Sequence, residues 1–129
     1  MIGFSVYNKY SGEILWSGYV SRRSDLSSQV QSEDQSLIEV YCDNKNHYVD
    51  VFQEAPQVKP KVNNPTYLEY NILKSVPNPS MVSIYNSGVS SLEVTDGEVV
   101  LEADLPGTYK VVVNPADAKY YTAEFEVDL

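Results

Sequence analysis

Hydrophobic and polar positions alternate with a period of two along the last third of the chain. Residues 121–128 place Tyr121, Ala123, Phe125 and Val127 on one face and Thr122, Glu124, Glu126 and Asp128 on the other. One apolar and one charged face predict a half-buried antiparallel strand. Upstream, Tyr109, Val111 and Val113 form an inward set with Thr108 and Lys110 outward, and Val99, Leu101 and Ala103 alternate with Glu98, Val100 and Glu102. Asp96-Gly97 predicts a turn, and Pro106-Gly107 a type II turn with glycine at positive φ. Tyr109 follows that turn and is expected to be a structural corner tyrosine pinning sandwich strands. Further strands are predicted over residues 67–73, 81–85 and 91–94. Six or seven short strands at regular spacing in about 65 residues predict a β-sandwich.

The first half patterns as strands too. Residues 4–7 and 13–19 read as a hairpin around residues 8–12, and residues 37–42 and 47–52 as a second hairpin around Asp43-Asn44-Lys45-Asn46. The polar stretch between them offers one helical turn, over residues 25–30. Four short strands make a small core, and about 60 residues alone are marginal, so this half is expected to lean on a neighbour or partner. Between the halves, Pro56, Pro60 and Pro65 fix φ and remove ladder donors, which predicts a semi-rigid extended linker. The expected organisation is all-β: a small module of two hairpins over 1–55, a Pro-rich linker over 56–65 and an Ig-like β-sandwich over 66–129.

Charge sharpens that division. The 129 residues carry 9 Lys+Arg and 18 Asp+Glu, net −9. Residues 1–62 hold 6 and 8 of these, net −2, and residues 63–129 hold 3 and 10, net −7. An acidic chain lacks the basic footprint of nucleic-acid binding and is repelled by anionic membrane surfaces, so neither is an expected partner. No window approaches the roughly 20 apolar residues of a bilayer span. The opening residues have no charged n-region followed by an apolar stretch, so synthesis in a cytoplasm is expected.

Candidate chemistry is sparse. Cys42 and His47, with Asp43 and Asp50 nearby, have the residue types of a thiol–imidazole nucleophile pair. Cys42 falls on the same face as Ile38 and Val40, however, which suits a buried inert thiol. Asp96, Glu98, Glu102, Asp104 and Asp117 could offer oxygen ligands to Ca²⁺, but their spacing matches no EF-hand loop and alternating glutamates ordinarily form a solvated strand face. No phosphate loop, zinc spacing or nucleophile elbow is present. Catalytic, cofactor-binding and metal residues are therefore all expected to be absent. The excess lies in aromatics: 11 Tyr and one Trp. These are good strand formers and also favour interfaces, having a large apolar face and a polar handle. Trp16, Tyr19 and Tyr48 are the expected anchors, with the one basic pair, Arg22 and Arg23, able to grip a partner carboxylate.

An ordered set of segments carries a family likeness. Residues 7–18 contain Gly12-Glu13-Ile14-Leu15 and Gly18; Gln29, Leu37-Ile38-Glu39-Val40, His47-Tyr48-Val49-Asp50 and the proline run follow in order. Over residues 1–62 the chain resembles small bacteriophage tail or virion proteins built on a Gly-Glu-Ile-Leu hairpin, an Ile-Glu strand and a Pro-rich exit. Leu105-Pro106-Gly107-Thr108-Tyr109 resembles the Pro-Gly-Thr-Tyr strand of bacterial and phage Ig-like domains, a motif that speaks for fold and not for function. The resemblance implies a non-enzymatic virion structural protein, tail-associated (fibre attachment, adaptor or tail-tip accessory), present in several copies and contacting other tail or capsid proteins. Two alternatives are a capsid decoration protein and, from another class, a carbohydrate-binding module in which Tyr85, Tyr120 or Tyr121 would stack on host sugars.

Overall fold

The structure, a computed structural model, describes residues 1–86 and 88–129. The chain is all-β, as expected, and divides into two compact units, Met1–Val62 and Asn63–Leu129.

In the first unit, β1 (Ile2–Asn8) lies between β2 (Ile14–Val20) and β3 (Gln35–Ile38) in an antiparallel sheet, and β4 (His47–Asp50) pairs with β5 (Gln57–Pro60) in a second. Residues Phe4 to Tyr7 are all buried because both faces of β1 are covered. Phe4 and Val6 pack with Leu26, Trp16, Val20 and Leu37 on one face. On the other, Tyr7 joins Ile14, Cys42 and Val49. A bulge makes the second group possible: Val6 faces Trp16 but Tyr7 faces Ile14, so Leu15 is the extra residue and Ile14 is turned into the core. Short 3₁₀ turns at Arg23–Asp25 and Ser27–Gln29 bracket the buried Leu26, where the helical turn was predicted.

Gly12 joins the two sheets. Its φ is +80°, and a Cβ there would lie 2.0 Å from the Val49 carbonyl oxygen. The Val49 N–H in turn donates to the Gly12 carbonyl at 2.9 Å. Any side chain would meet both the left-handed backbone and β4 itself.

The second predicted hairpin does not form. β3 ends at Ile38 and pairs with β1, while β4 pairs with β5. Leu37 and Ile38 face opposite sides of the sheet and feed its two apolar groups, which a strand paired only to residues 47–52 could not do. Beyond the bend at Glu39 the Val40 side chain is exposed, so it does not share the buried face of Cys42. The proline segment is likewise no bare spacer. Pro56 precedes β5 and Pro60 ends it, positions where a missing ladder donor costs little, and Val58 packs toward Val49 across the pair.

Among the described residues the second unit has seven strands: β6 (Tyr67–Glu69), β7 (Ile72–Lys74), β8 (Ser80–Tyr85), β9 (Val89–Val94), β10 (Val99–Val100), β11 (Thr108–Pro115) and β12 (Ala123–Asp128). They form antiparallel sheets of order β10-β7-β6 and β12-β11-β8-β9, closed over Leu73, Leu101, Val82, Val111, Val113 and Val127. This is a β-sandwich. Ala123, Phe125 and Val127 face this core, as their alternation predicts, and Glu124, Glu126 and Asp128 are exposed. The Tyr109 hydroxyl donates to the Leu105 carbonyl at 2.7 Å, the corner bond expected of it. Gly97 takes φ +83° in the β9–β10 turn.

Three expectations change. The predicted strand over 67–73 is a hairpin, because Leu68 and Leu73 are five apart and share a core face only when paired across a turn. Tyr70 forms its tip at φ 57°. Gly107 does not take the positive φ of a type II turn; its N–H and carbonyl both bond Leu129, at 3.0 and 2.9 Å, extending the β11–β12 ladder. The alternation over Val99, Leu101 and Ala103 ends early, Ala103 being exposed, while Asn71 clamps Leu101 by bonds to its N–H (2.7 Å) and carbonyl (3.0 Å).

Gly12→Ala is expected to cost on the order of 3 kcal/mol, from a strained φ and overpacking together. That is a large share of what a unit this size can hold. Gly18→Ala is the comparator: its Cβ would meet only the Phe4 ring, at 3.2 Å, and the loss should be smaller. Urea unfolding of both variants followed by circular dichroism measures the difference.

Candidate interaction surface

The most developed surface feature is built upward from two serines. Ser5 lies in the middle of β1 with no solvent exposure, where a hydroxyl must find partners. It donates to the Val40 carbonyl at 2.6 Å and lies 2.8 Å from the Ser17 hydroxyl on β2, its cross-strand neighbour. Ser17 donates to the Cys42 carbonyl at 2.6 Å. The two bonds hold segment 40–42 across the sheet on either side of Tyr41. At the same face Gly3 faces Tyr19, and a Cβ on Gly3 would stand 3.1 Å from Tyr41 Cβ and 3.2 Å from Tyr19 Cε1. That vacancy lets the two rings stack, centroids 4.7 Å apart and planes 12° from parallel. Tyr19 remains 55% exposed and Tyr41 52%. Two rings fixed against each other offer contact area at little further entropy cost.

Of the anchors predicted from sequence, only Tyr19 belongs to this plate. Trp16 lies on the opposite face of the same sheet, half-buried and packed against the core residues Phe4, Val6 and Leu26, so it is apart from the plate. Tyr48 is half-buried on β4 beside Lys59. Arg22 pairs with Asp25 at 3.4 Å and Arg23 with Glu39, so each already has a local carboxylate, although both remain exposed. Tyr41 is the residue that sequence reasoning missed. A glycine opposite a tyrosine in a hairpin was the available signal, since the missing side chain leaves room for another ring.

The same serines determine the chemistry of Cys42. Its thiol is buried, 3.3 Å from the Ser5 hydroxyl. Ser5 and Ser17 each have one proton, and two carbonyls accept at 2.6 Å, which leaves the thiol to donate to Ser5. His47 Nδ1 faces Asp43 instead, at 3.4 Å.

In the second unit the candidates are dispersed. By strand register Tyr85 lies opposite Lys110 at one end of the larger sheet, while Tyr120 and Tyr121 precede Ala123 at the other. The separation is roughly 17 Å along five residues of strand. Tyr120 is half-buried with the Lys119 ammonium 5.0 Å from its ring centroid, and the Tyr121 carbonyl accepts from Asn64 Nδ2 at 3.0 Å. Asp96, Glu98 and Asp117 sit in turns at the Ser80 end of that sheet, and Glu102 and Asp104 in the long connection from β10 to β11. Among the described residues no three His, Cys, Asp or Glu side chains gather as a metal site, and no helix is long and apolar enough to cross a membrane.

One ion pair carries a titration. Lys59 Nζ lies 2.7 Å from Asp50 Oδ2, diagonally across the β4–β5 pair. That bond, with the Phe52 N–H as a second donor, holds the Asp50 carboxyl below its ordinary pKa, and the carboxylate raises Lys59 above its own. A lowered folded-state pKa gives stability that is present above the unfolded value, about 3.9, and is lost as pH falls through the folded value. The raised Lys59 gives stability that is present below about 10.4 and is lost as pH rises through its folded value. Asp50→Asn should therefore be less stable than wild type at neutral pH, with the two converging in acid below about pH 4; thermal melts across that range test it. Comparison of the chain with protein-family models, curated proteins and solved structures returns no match.

Proposed function

We propose that the chain is a non-enzymatic structural protein of a bacteriophage virion, tail-associated as a fibre attachment, adaptor or tail-tip accessory component, and working by protein–protein contact. The observation that carries this reading is the Tyr19–Tyr41 plate, exposed yet fixed by Gly3, Ser5 and Ser17. Rigid, half-exposed aromatic area is what contact hot spots are made of. It sits on the unit that carries little net charge, so docking there meets little electrostatic resistance. The resemblance of residues 1–62 to phage tail or virion proteins supplies the setting.

The sandwich is read as Ig-like. Its partition of strands, with the first, second and fifth in one sheet, and the corner bond of Tyr109 both support that. A stacking site for host sugars draws little support, because Tyr85 is remote from Tyr120 and Tyr121.

Cryo-microscopy and mass spectrometry of purified virions are expected to find the protein in mature tails. Absence from mature particles would sink the reading, and density on the capsid would move it to the decoration alternative. The double variant Tyr19→Ala/Tyr41→Ala should fold, both rings being half-exposed, yet reduce incorporation at least tenfold, since hot-spot truncations cost about 2 kcal/mol or more each.

A further inference from the structure

The open edges of the sandwich are not equivalent. β6 and β10 are only three and two residues long, too short to template another strand. β12 is a six-residue edge whose outer face carries Glu124, Glu126 and Asp128, the kind of charged strand that discourages edge pairing. β9 is also six residues long and, among the described residues, pairs on one side only, with β8. It carries a single charge, Glu93, and no proline, and five of its six residues are exposed.

Its inner face is open as well. Register with β8 points Ser90, Leu92 and Val94 toward the core and Val89, Ser91 and Glu93 outward. Val94 is buried, but Leu92 remains 39% exposed although it points inward. The cause is the neighbouring edge: β9 and β10 belong to opposite sheets, and a recess lies between them, lined by Leu92, Val94, Val99 and Val100 with Glu93 and Glu98 at its rim. Among the described residues no lysine or arginine lines it.

We propose that β9 is the site at which the sandwich accepts an extended segment of a partner protein by strand addition, and that the segment alternates apolar and basic residues. The alternation follows from the pleat. Residues of an added strand that face inward would cover Leu92 and the recess, and those facing outward would lie beside Glu93 and, at the turn, Asp96. Main-chain bonds to the unpaired side of β9 supply affinity, and the acidic rim selects the sign of the partner. A second copy of the sandwich is disfavoured as the occupant, because residues 63–129 carry net −7 and like copies repel.

The test uses the full chain and a synthetic ten-residue peptide alternating valine and lysine, followed by nuclear magnetic resonance with ¹⁵N-labelled protein. Saturable binding is expected, with shifts and slowed amide exchange confined to β9 and its flanking turns. Glu93→Lys should weaken it roughly three- to tenfold, the loss of one exposed charge pair and its reversal. The same peptide N-methylated at alternate residues, on the edge that would face β9, should not bind. No saturable binding at millimolar peptide, shifts centred on Glu124, Glu126 and Asp128, or undiminished binding of the N-methylated peptide would each overturn the proposal.

Discussion

The contact of Gly12 with Val49 is the constraint on which the first unit depends. One N–H to carbonyl bond and one van der Waals approach of a bare α-carbon attach a two-stranded sheet to a three-stranded one. Without that approach Val49 would not reach Tyr7 and Ile14, and the second apolar group would be open to water. The bulge at Leu15 serves the same end from the other side by turning Ile14 toward that group. A unit this small has few buried side chains to spare, so one turn residue governs whether β1 is covered on both faces or only one.

The sandwich was more legible in sequence than the first unit, and the reason is the number of faces each strand buries. β11 and β12 have one wet face and therefore alternate cleanly, so Val111, Val113, Phe125 and Val127 could be placed before any coordinates. The corner role of Tyr109 was readable because it depends on a local bond four residues back. β1 is buried on both faces, so its run from Phe4 to Tyr7 shows no alternation and hides its two partners. Pairing of β3 with β1, and of β4 with β5, depends on which groups share a core, information that turn residues between neighbouring segments do not contain. Prolines misled for a related reason: Pro56 and Pro60 exclude a central strand but suit the ends of an edge strand, which is what β5 is.

The candidate surface was legible in part. Composition pointed to aromatics in the first half and strand assignment to Tyr19, but hydrophobicity alone could not separate Trp16 from it. Parity could: three residues apart on one strand, they must face opposite ways, and the small residues Gly3, Ser5 and Ser17 mark the face where a crossing segment fits. Tyr41 escaped because it lies outside regular structure, its segment held by serine side chains whose bonds span 25 and 35 positions. Small polar residues in a buried strand are a useful sign of such a crossing, since their hydroxyls have to be answered by backbone from elsewhere.

The packing of Trp16 also gives the molecule a built-in reporter. It is the one tryptophan in the chain, half-buried against the core of the first unit, while the aromatic residues of the sandwich are tyrosines and Phe125. Red-shifted indole emission would therefore mark loss of the first unit's packing, while melting of the sandwich would register in the far-ultraviolet β signal. Two spectroscopic channels thus separate two folding events within one unlabelled chain, and any difference between their midpoints reads directly how independently the units unfold.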